Sequence, residues 1–400
     1  MKYVIVIPDG CADEPQETLQ SQTPLQYAEL PNCDAVVQSG SIGRANHVPP
    51  HLPAGSAVAN MSLLGYDPND HFQGRAPLEA AALDITLGPN DWAIRCNLVT
   101  IKDQIMKDFT AGHISSDEAR ELLEFAQSKL EPESAFEFFS GVSYRNLVVY
   151  RGKDNPAPYT PETRTIAPHD LIDQPVTDQY PRGPGSDSLN ELMRLSTDWF
   201  ANHRVNKKRI DQNQSVATNL WLWGLGQQPQ FEPFSTRYGL NGTMITAVDL
   251  LKGLAKLIGW ECLMVPGATG YLDTDYAAKG TAAIEALKET DLVCIHIEAT
   301  DEASHEGRVE EKVRAMEAID REIIGPVWRD LQNYDEGRML ICPDHATPLQ
   351  TRMHSHGHVP FAIAGTGVTR DPSTTYDEVT AMNSQLIYDS GWELMSFFIR

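Results

Sequence analysis

Three short apolar runs constrain this chain more than any other feature. They are YVIVI at 3–7, LVCIHI at 292–297 and MLIC at 339–342, and each is followed within four residues by an aspartate. Unbroken apolar runs with polar punctuation are the pattern of strands covered on both faces. A fourth run, at 361–364, comes soon after the third. Helical patterns lie between them, at 281–287 and at 309–324, where Val313, Met316, Ile319, Ile323 and Ile324 form one stripe. Strands alternating with helices predict an α/β fold, a mostly parallel sheet flanked by helices and built from both ends of the chain.

The middle of the chain reads differently. Residues 92–101 and 141–150 (GVSYRNLVVY) predict strands, and 116–130 predicts a helix opened by Ser115 and Glu118 at capping-box spacing. A Pro-rich polar stretch at 154–185 predicts surface loop, followed by a helix over about 188–202. At roughly 150 residues per domain, a chain of 400 is expected to hold two or three domains. The change in pattern places a smaller inserted α/β (α+β) domain at 81–243, within a discontinuous domain made of 1–80 and 244–400.

Chemistry concentrates where the strands end. Ligands of open parallel sheets bind beyond the carboxyl ends of the strands. There the chain places Asp9, Asp301 and Asp344, the last followed at once by His345. Crowded carboxylates cannot all ionise cheaply, and a divalent cation turns their repulsion into coordination. Six of the 12 histidines fall between 296 and 358. Asp301 and His305 are four apart, which puts both on one face of a helical turn. His354 follows Asp344 by ten residues. Mixed oxygen and imidazole donors suit Mn²⁺ or Zn²⁺ rather than Ca²⁺, and the number of donors suits two ions. A lone strand-end aspartate is ordinarily a turn former, and HSHGH (354–358) alone is the kind of tract that binds metal adventitiously. Neither reading explains acids and histidines recurring at matching strand ends. Only one of the three tract histidines is expected to be a main ligand.

The candidate nucleophile is Ser56, in PAGSAVANMSLLGYDP (53–68). A serine that starts a helix is by default an N-cap. The same geometry offers unpaired N–H groups to a phosphate, and a neighbouring metal activates the hydroxyl.

Charge decides which partners are excluded. Thirty-two Lys and Arg against 55 Asp and Glu give a formal charge of −23, which argues against nucleic acid and anionic membrane surfaces. A small phosphorylated substrate stays within reach, because a bound metal or a local basic patch inverts the field at one site. No run approaches the ~18 apolar residues of a membrane span. The six cysteines are scattered, without a CxxC pair, and are expected to be reduced core thiols of a cytoplasmic protein. Self-association into a homo-oligomer is left open.

A series of blocks then resembles one family. They are IPDGCAD (7–13), TPLQYAELPNCD (23–34), GSAVANMSLLGYDP (55–68), GRAPLEAAA (74–82), RCNLVT (95–100), DFTAGHISSDEAR (108–120), NLWLWGLG (219–226), VPGATGYLDTDY (265–276), EATDEASHEG (298–307) and PDHATP (343–348). In this order, and over nearly the whole chain, they resemble the archaeal-type cofactor-independent phosphoglycerate mutases of the alkaline phosphatase superfamily. The resemblance implies an alkaline-phosphatase-like core and a lid-like inserted domain. It implies two divalent metal ions, usually Mn²⁺, with Zn²⁺, Co²⁺ or Mg²⁺ as alternatives, and no 2,3-bisphosphoglycerate cofactor. Position by position, Asp301, His305 and His354 match the family's first metal site. Asp9, Asp344 and His345 match the second, which also holds Ser56 as a ligand and nucleophile. His113 matches a histidine at the phosphoryl acceptor or leaving oxygen. Arg75, Arg145 and Lys252 are candidate partners for phosphate or carboxylate. The implied activity is interconversion of 2- and 3-phosphoglycerate through a phosphoserine, in glycolysis and gluconeogenesis. The alternative is a related phosphotransferase, such as a homoserine kinase-like enzyme of threonine biosynthesis. Three positions depart from the family's pattern: Ala57 where an acid is common, Ser304 where glycine is common, and His358 in place of proline.

Overall fold

The computed structural model describes residues 1–153 and 156–400. In chain order its strands are β1 (Lys2–Pro8), β2 (Gly40–Ala45), β3 (Trp92–Lys102), β4 (Ile105–Asp108), β5 (Phe136–Val142), β6 (Arg145–Tyr150), β7 (Asn219–Gly226), β8 (Gly242–Ile245), β9 (Glu261–Cys262), β10 (Leu292–Ile297), β11 (Gly337–Ile341), β12 (Val359–Gly365) and β13 (Ile387–Tyr388). They belong to two compact units, Met1–Phe72 with Gln230–Arg400, and Gln73–Pro229.

The first unit is built on an eight-stranded sheet, ordered β13-β2-β12-β11-β1-β10-β8-β9. β1 lies inside it, parallel to β10 on one side and to β11 on the other. Every β1 residue after Lys2 is buried, which is why the strand reads as an unbroken apolar run rather than an alternation. The run at 361–364 lies in β12, which pairs antiparallel with both β11 and β2. An antiparallel return needs no helical crossover, and the sheet is therefore mixed. The helical pattern at 281–287 extends to Tyr276–Glu289. The pattern at 309–324 divides into a helix, Val309–Ile319, and a π turn, Asp320–Ile324. At that turn the Asp320 carboxylate accepts from the backbone N–H groups of Asn32 and Cys33, at the positive end of the helix Pro31–Ser39. All five stripe residues are buried.

The second unit holds a five-stranded antiparallel sheet in which β3 pairs with β4, β6 and β7. Ile94, Cys96 and Leu98 of β3 share a core with Leu122 of the helix Ser116–Ser128 and Leu189 of the helix Ser186–Ala201. The capping box forms: Ser115 Oγ accepts from Glu118 N, and Ser115 N donates to the Glu118 carboxylate. Residues 141–150 are not one strand. Ser143 takes φ 57°, a left-handed turn that separates β5 from β6 and folds them into a hairpin. The inserted unit starts at Gln73 rather than 81, because the helix Ala76–Ala82 packs Ala76 and Ala80 against Ala93 and Leu147. It ends at Pro229 rather than 243, because Phe234 packs edge to face on Trp260 and β8 joins the first sheet. Of the loop expected at 154–185, residues 154 and 155 lie outside the described residues, and the remainder carries one short turn of 3₁₀ helix, Pro168–Leu171. All six cysteines are free, and all but Cys262 are buried. Among the described residues no helix is long and apolar enough to cross a membrane.

Candidate active site

The three parallel strands β11, β1 and β10 stand side by side, and each delivers acids at its carboxyl end. Asp9 follows β1 directly. β10 passes into Glu298 and then the helix Ala299–Glu306, which carries Asp301 and His305. Asp344 and His345 follow β11. The approach is close enough to require glycine at position 10, which has φ 61° and where an added Cβ would come within 2.3 Å of Asp301 Oδ1. A fourth element supplies Ser56, the first residue of the helix Ser56–Leu63. Its N-cap, Gly55, takes φ 155°, and a Cβ there would meet His354 Nδ1 at 3.3 Å.

These elements bring the sequence-predicted ligands together. His305 Nε2 lies 3.0 Å from Asp301 Oδ2, and His354 Nε2 lies 3.5 Å from the same oxygen. His345 Nε2 lies 3.5 Å from Asp9 Oδ1, 3.4 Å from Asp344 Oδ2 and 3.2 Å from Ser56 Oγ. Ser56 Oγ is also 3.5 Å from Asp9 Oδ2. Donor atoms of Asp301, His305 and His354 lie within 4.8 Å of one another, and so do those of Asp9, Asp301 and His345.

The electrostatics call for cations. Asp9, Asp301 and Asp344 are all buried. Burial, together with the charges of Asp344, Glu298 and Asp301, pushes the Asp9 carboxyl well above its ordinary range. Burial likewise raises Glu298 to about 8, with Asp301 and Asp344 adding to the rise. Asp9 Oδ1 is buried and has no hydrogen-bond partner among the described residues. His305 Nδ1 faces the Arg352 carbonyl oxygen at 2.9 Å. An N–H there leaves Nε2 as a lone-pair donor, turned toward His354 Nε2. Orphaned carboxylate oxygen, clustered acids and converging imidazole nitrogens fit divalent metal.

Several residues that support this cluster were not singled out by the sequence reading. His296 Nε2 is 2.8 Å from Asp9 Oδ2 and its Nδ1 is 3.2 Å from Thr246 Oγ1. Burial lowers its pKa to about 3. Asn60 Nδ2 donates to Asp344 Oδ2 at 2.7 Å and to the Ser56 carbonyl at 3.0 Å. Thr347 Oγ1 donates to Asp301 Oδ1 at 2.5 Å and lies 3.2 Å from His345 Nδ1. A histidine inside an apolar strand, and an asparagine one helical turn after the candidate serine, were the signals that pointed to the first two.

The second unit gathers its own polar face. β3 register pairs Arg95 with Trp223 and Asn97 with Arg145, so these four side chains share one side of the sheet. The buried Arg95 guanidinium stacks on the Trp223 ring at 3.9 Å, and its Nε is 3.0 Å from Glu79 Oε2. Trp223 Nε1 donates to Asn97 Oδ1 at 3.0 Å. Burial lowers the Arg95 pKa against the pull of Glu79, and the charges of Arg75 and Arg145 add to the lowering. His169 stands 5.5 Å from Trp223, ring to ring, and Phe109 closes the row beside Tyr144. His113 is exposed, has φ 47°, and approaches Tyr144 at 6.4 Å. Of the predicted residues here, Arg75, Arg145 and His113 are exposed. Arg95, Trp223 and His169 were missed, because only strand register and a distant loop bring them together.

Elsewhere the picture is plain. Lys252 is held by Asp249 at 2.9 Å within one helix. In the tract HSHGH, His356 Nε2 faces the Leu52 carbonyl oxygen and His358 faces the Asp389 carboxylate, which leaves His354 as the member in the cluster. Ala57 is buried in the helix that Ser56 opens. Ser304 turns its hydroxyl onto the Thr300 carbonyl, four residues back.

Known proteins share this arrangement of chain. Residues 37–206 match the family described as PhosphMutase, 2,3-bisphosphoglycerate-independent phosphoglycerate mutase. A 2,3-bisphosphoglycerate-independent phosphoglycerate mutase of Methanothrix thermoacetophila is 46% identical over 382 residues, covering 95% of each chain. A solved structure of a protein from Pyrococcus horikoshii aligns over 100% of this chain and 96% of its own, with a TM-score of 0.84 and 26% identity. The cofactor-independent phosphoglycerate mutase of Thermoplasma acidophilum aligns over 100% and 99%, with a TM-score of 0.69 and 25% identity. With nearly half of all positions identical to a curated mutase over almost its entire length, the chain belongs to the family of 2,3-bisphosphoglycerate-independent phosphoglycerate mutases.

Proposed function

We propose that this mutase interconverts 2- and 3-phosphoglycerate by carrying the phosphoryl group transiently on Ser56. The observation behind this reading is the place of the Ser56 hydroxyl, at the start of a helix and within 3.5 Å of both Asp9 and His345. Attack by Oγ on phosphorus forms the Ser56 O–P bond as the bond to the substrate oxygen breaks, and the serine proton passes to that oxygen. The other glycerate hydroxyl then attacks the phosphoserine. Its O–P bond forms, the Ser56 bond breaks, and the proton of the attacking hydroxyl passes to Ser56 Oγ. No second phosphate donor is consumed.

Asp9, Asp344 and His345 would hold one divalent ion and Asp301, His305 and His354 the other, a donor set that suits Mn²⁺ or Zn²⁺. Bound divalent ions supply charge neutralisation at the phosphoryl group and a lower pKa for the serine hydroxyl. The chain's own groups position the rest. Asn60 orients Asp344 while gripping the Ser56 carbonyl, and Thr347 orients Asp301. Within the second unit, Arg95, Arg145 and Arg75 are the proposed guanidinium donors to an anionic group, and His113 is the proposed partner of the glycerate oxygen. Such a site works by orientation and fixed charge, and it must keep water from the phosphoserine, since hydrolysis would turn a mutase into a phosphatase.

The test is a metal-titrated coupled assay of the purified protein on 3-phosphoglycerate, run beside homoserine plus ATP. Metal-dependent turnover of phosphoglycerate alone is the expected result. Turnover of homoserine alone would overturn the reading.

A further inference from the structure

A fully buried ion pair lies behind the carboxylate–imidazole cluster and takes no part in the mechanism above. Lys312 Nζ donates to Asp13 Oδ2 at 2.7 Å, and neither side chain has any exposed surface. Burying both charges is expensive, and apolar residues of the same volume are commonly as stable. Hydrophobic packing alone therefore gives no reason for the pair to be here.

Its connections supply one. Asp13 ends the segment that begins with Asp9, and its carboxylate accepts from Glu14 N, from Gln16 Nε2 and from Leu349 N. Leu349 lies in the segment that begins with Asp344 and His345. Lys312 belongs to the helix Val309–Ile319, which follows the helix bearing Asp301 and His305. A second donation from Lys312 Nζ reaches the Thr347 carbonyl at 3.0 Å. Thr347 in turn places its hydroxyl on Asp301 Oδ1 at 2.5 Å and beside His345 Nδ1 at 3.2 Å. The segments after β1, β10 and β11 thus meet at this one ion pair.

We infer that Lys312 and Asp13 form a positioning pair that fixes, through Thr347, the spacing of Asp301 and His345, and so governs how tightly the centre holds a divalent cation. The inference rests on the metal-centre reading above. Groups behind metal ligands commonly change metal affinity by about 10- to 100-fold when removed.

Calorimetric titration of the metal-free full-length protein with Mn²⁺ tests it without any need for turnover. Two variants are compared with the parent: the double variant Asp13→Asn/Lys312→Met, which neutralises both charges together, and Thr347→Val, which keeps the pair and the shape but removes the connecting hydroxyl. Each is expected to bind Mn²⁺ about 10- to 100-fold more weakly, with a metal-free thermal midpoint close to the parent's. A third variant, Lys312→Arg alone, retains the charge and should keep more of the affinity than the double variant does. If the double variant fails to fold, Thr347→Val decides the matter alone. Parental Mn²⁺ affinity in the variants would overturn the positioning role and leave the metal centre standing. A parent protein that binds no Mn²⁺ would overturn both.

Discussion

His305 and His354 point their Nε2 atoms at each other across 3.0 Å, and both lie within 3.5 Å of Asp301 Oδ2. Two neutral imidazoles cannot rest lone pair to lone pair at that distance. A proton or a metal cation must sit among the three groups, and which of them does so depends on pH.

Without metal, the Asp301 carboxylate raises the His305 pKa from 6.5 to about 9. A raised pKa means that the charged imidazole stabilises the fold. That contribution is fully present below pH 6.5 and disappears as pH climbs through about 9. A divalent ion has to displace this proton, so Mn²⁺ binding should release protons and strengthen between those two values. Calorimetry at pH 7.5 in two buffers of different ionisation enthalpy measures the release directly. Identical heats in both buffers would count against the Asp301–His305 pairing.

Asn60 should matter to metal binding although it is not a ligand. Its amide holds Asp344 Oδ2 at 2.7 Å. Asn60→Ala is expected to weaken Mn²⁺ by about 10- to 100-fold, as outer-shell losses do, with kcat largely recovered at saturating metal. A metal titration of activity, fitted for affinity and plateau separately, distinguishes this from general damage.

Arg95 is expected to act on KM. It is buried, stacked on Trp223 at 3.9 Å and tied to Glu79, so its fork is pre-organised. Losing a charged hydrogen bond costs about 1.5–3 kcal/mol, on the order of 10- to 100-fold. Arg95→Ala should raise KM for phosphoglycerate by that factor, and Arg95→Lys should rescue little, because an ammonium neither stacks flat nor presents two parallel donors. Steady-state kinetics on both variants provide the check, and an unchanged KM in Arg95→Ala would remove Arg95 from substrate binding.

Glu378 gives the fold a second pH dependence. It accepts from Asp13 N and from Thr23 Oγ1, and burial raises its pKa from 4.5 to about 7. The neutral form is therefore favoured in the folded chain. Its contribution is complete below pH 4.5 and is lost as pH passes about 7, at most about 3 kcal/mol. Glu378→Gln should flatten thermal stability over that window. Parallel melting curves from pH 4.5 to 8 would show it, and an unchanged slope would exclude Glu378 as the source.

What could be read from the sequence follows from burial. YVIVI and LVCIHI were legible because strands covered on both faces leave no polar alternation, and Asp9, Asp301 and Asp344 were legible because they follow such strands. β2 (GSIGRA) and β8 (GTMI) were not, since short Gly-containing strands resemble loops. The direction of β12 was also hidden, because apolar runs carry no record of orientation. Ser143 broke an otherwise convincing strand through one left-handed residue. Thr347, Lys312 and Arg95 escaped for another reason. A threonine in a loop, a lysine on a charged helix and an arginine in a strand acquire meaning only when tertiary contacts bring together segments that are separate in the sequence.

Phosphate on Ser56 is the central claim, and acid quenching tests it most directly. The Mn²⁺-loaded protein would be mixed with 3-phosphoglycerate, stopped during turnover, and the peptide containing Ser56 examined by mass spectrometry. The phosphoserine route predicts one added phosphoryl group on Ser56, absent without metal, and loss of mutase activity in Ser56→Ala. Full turnover by Ser56→Ala, with no phosphopeptide in the parent protein, would contradict it.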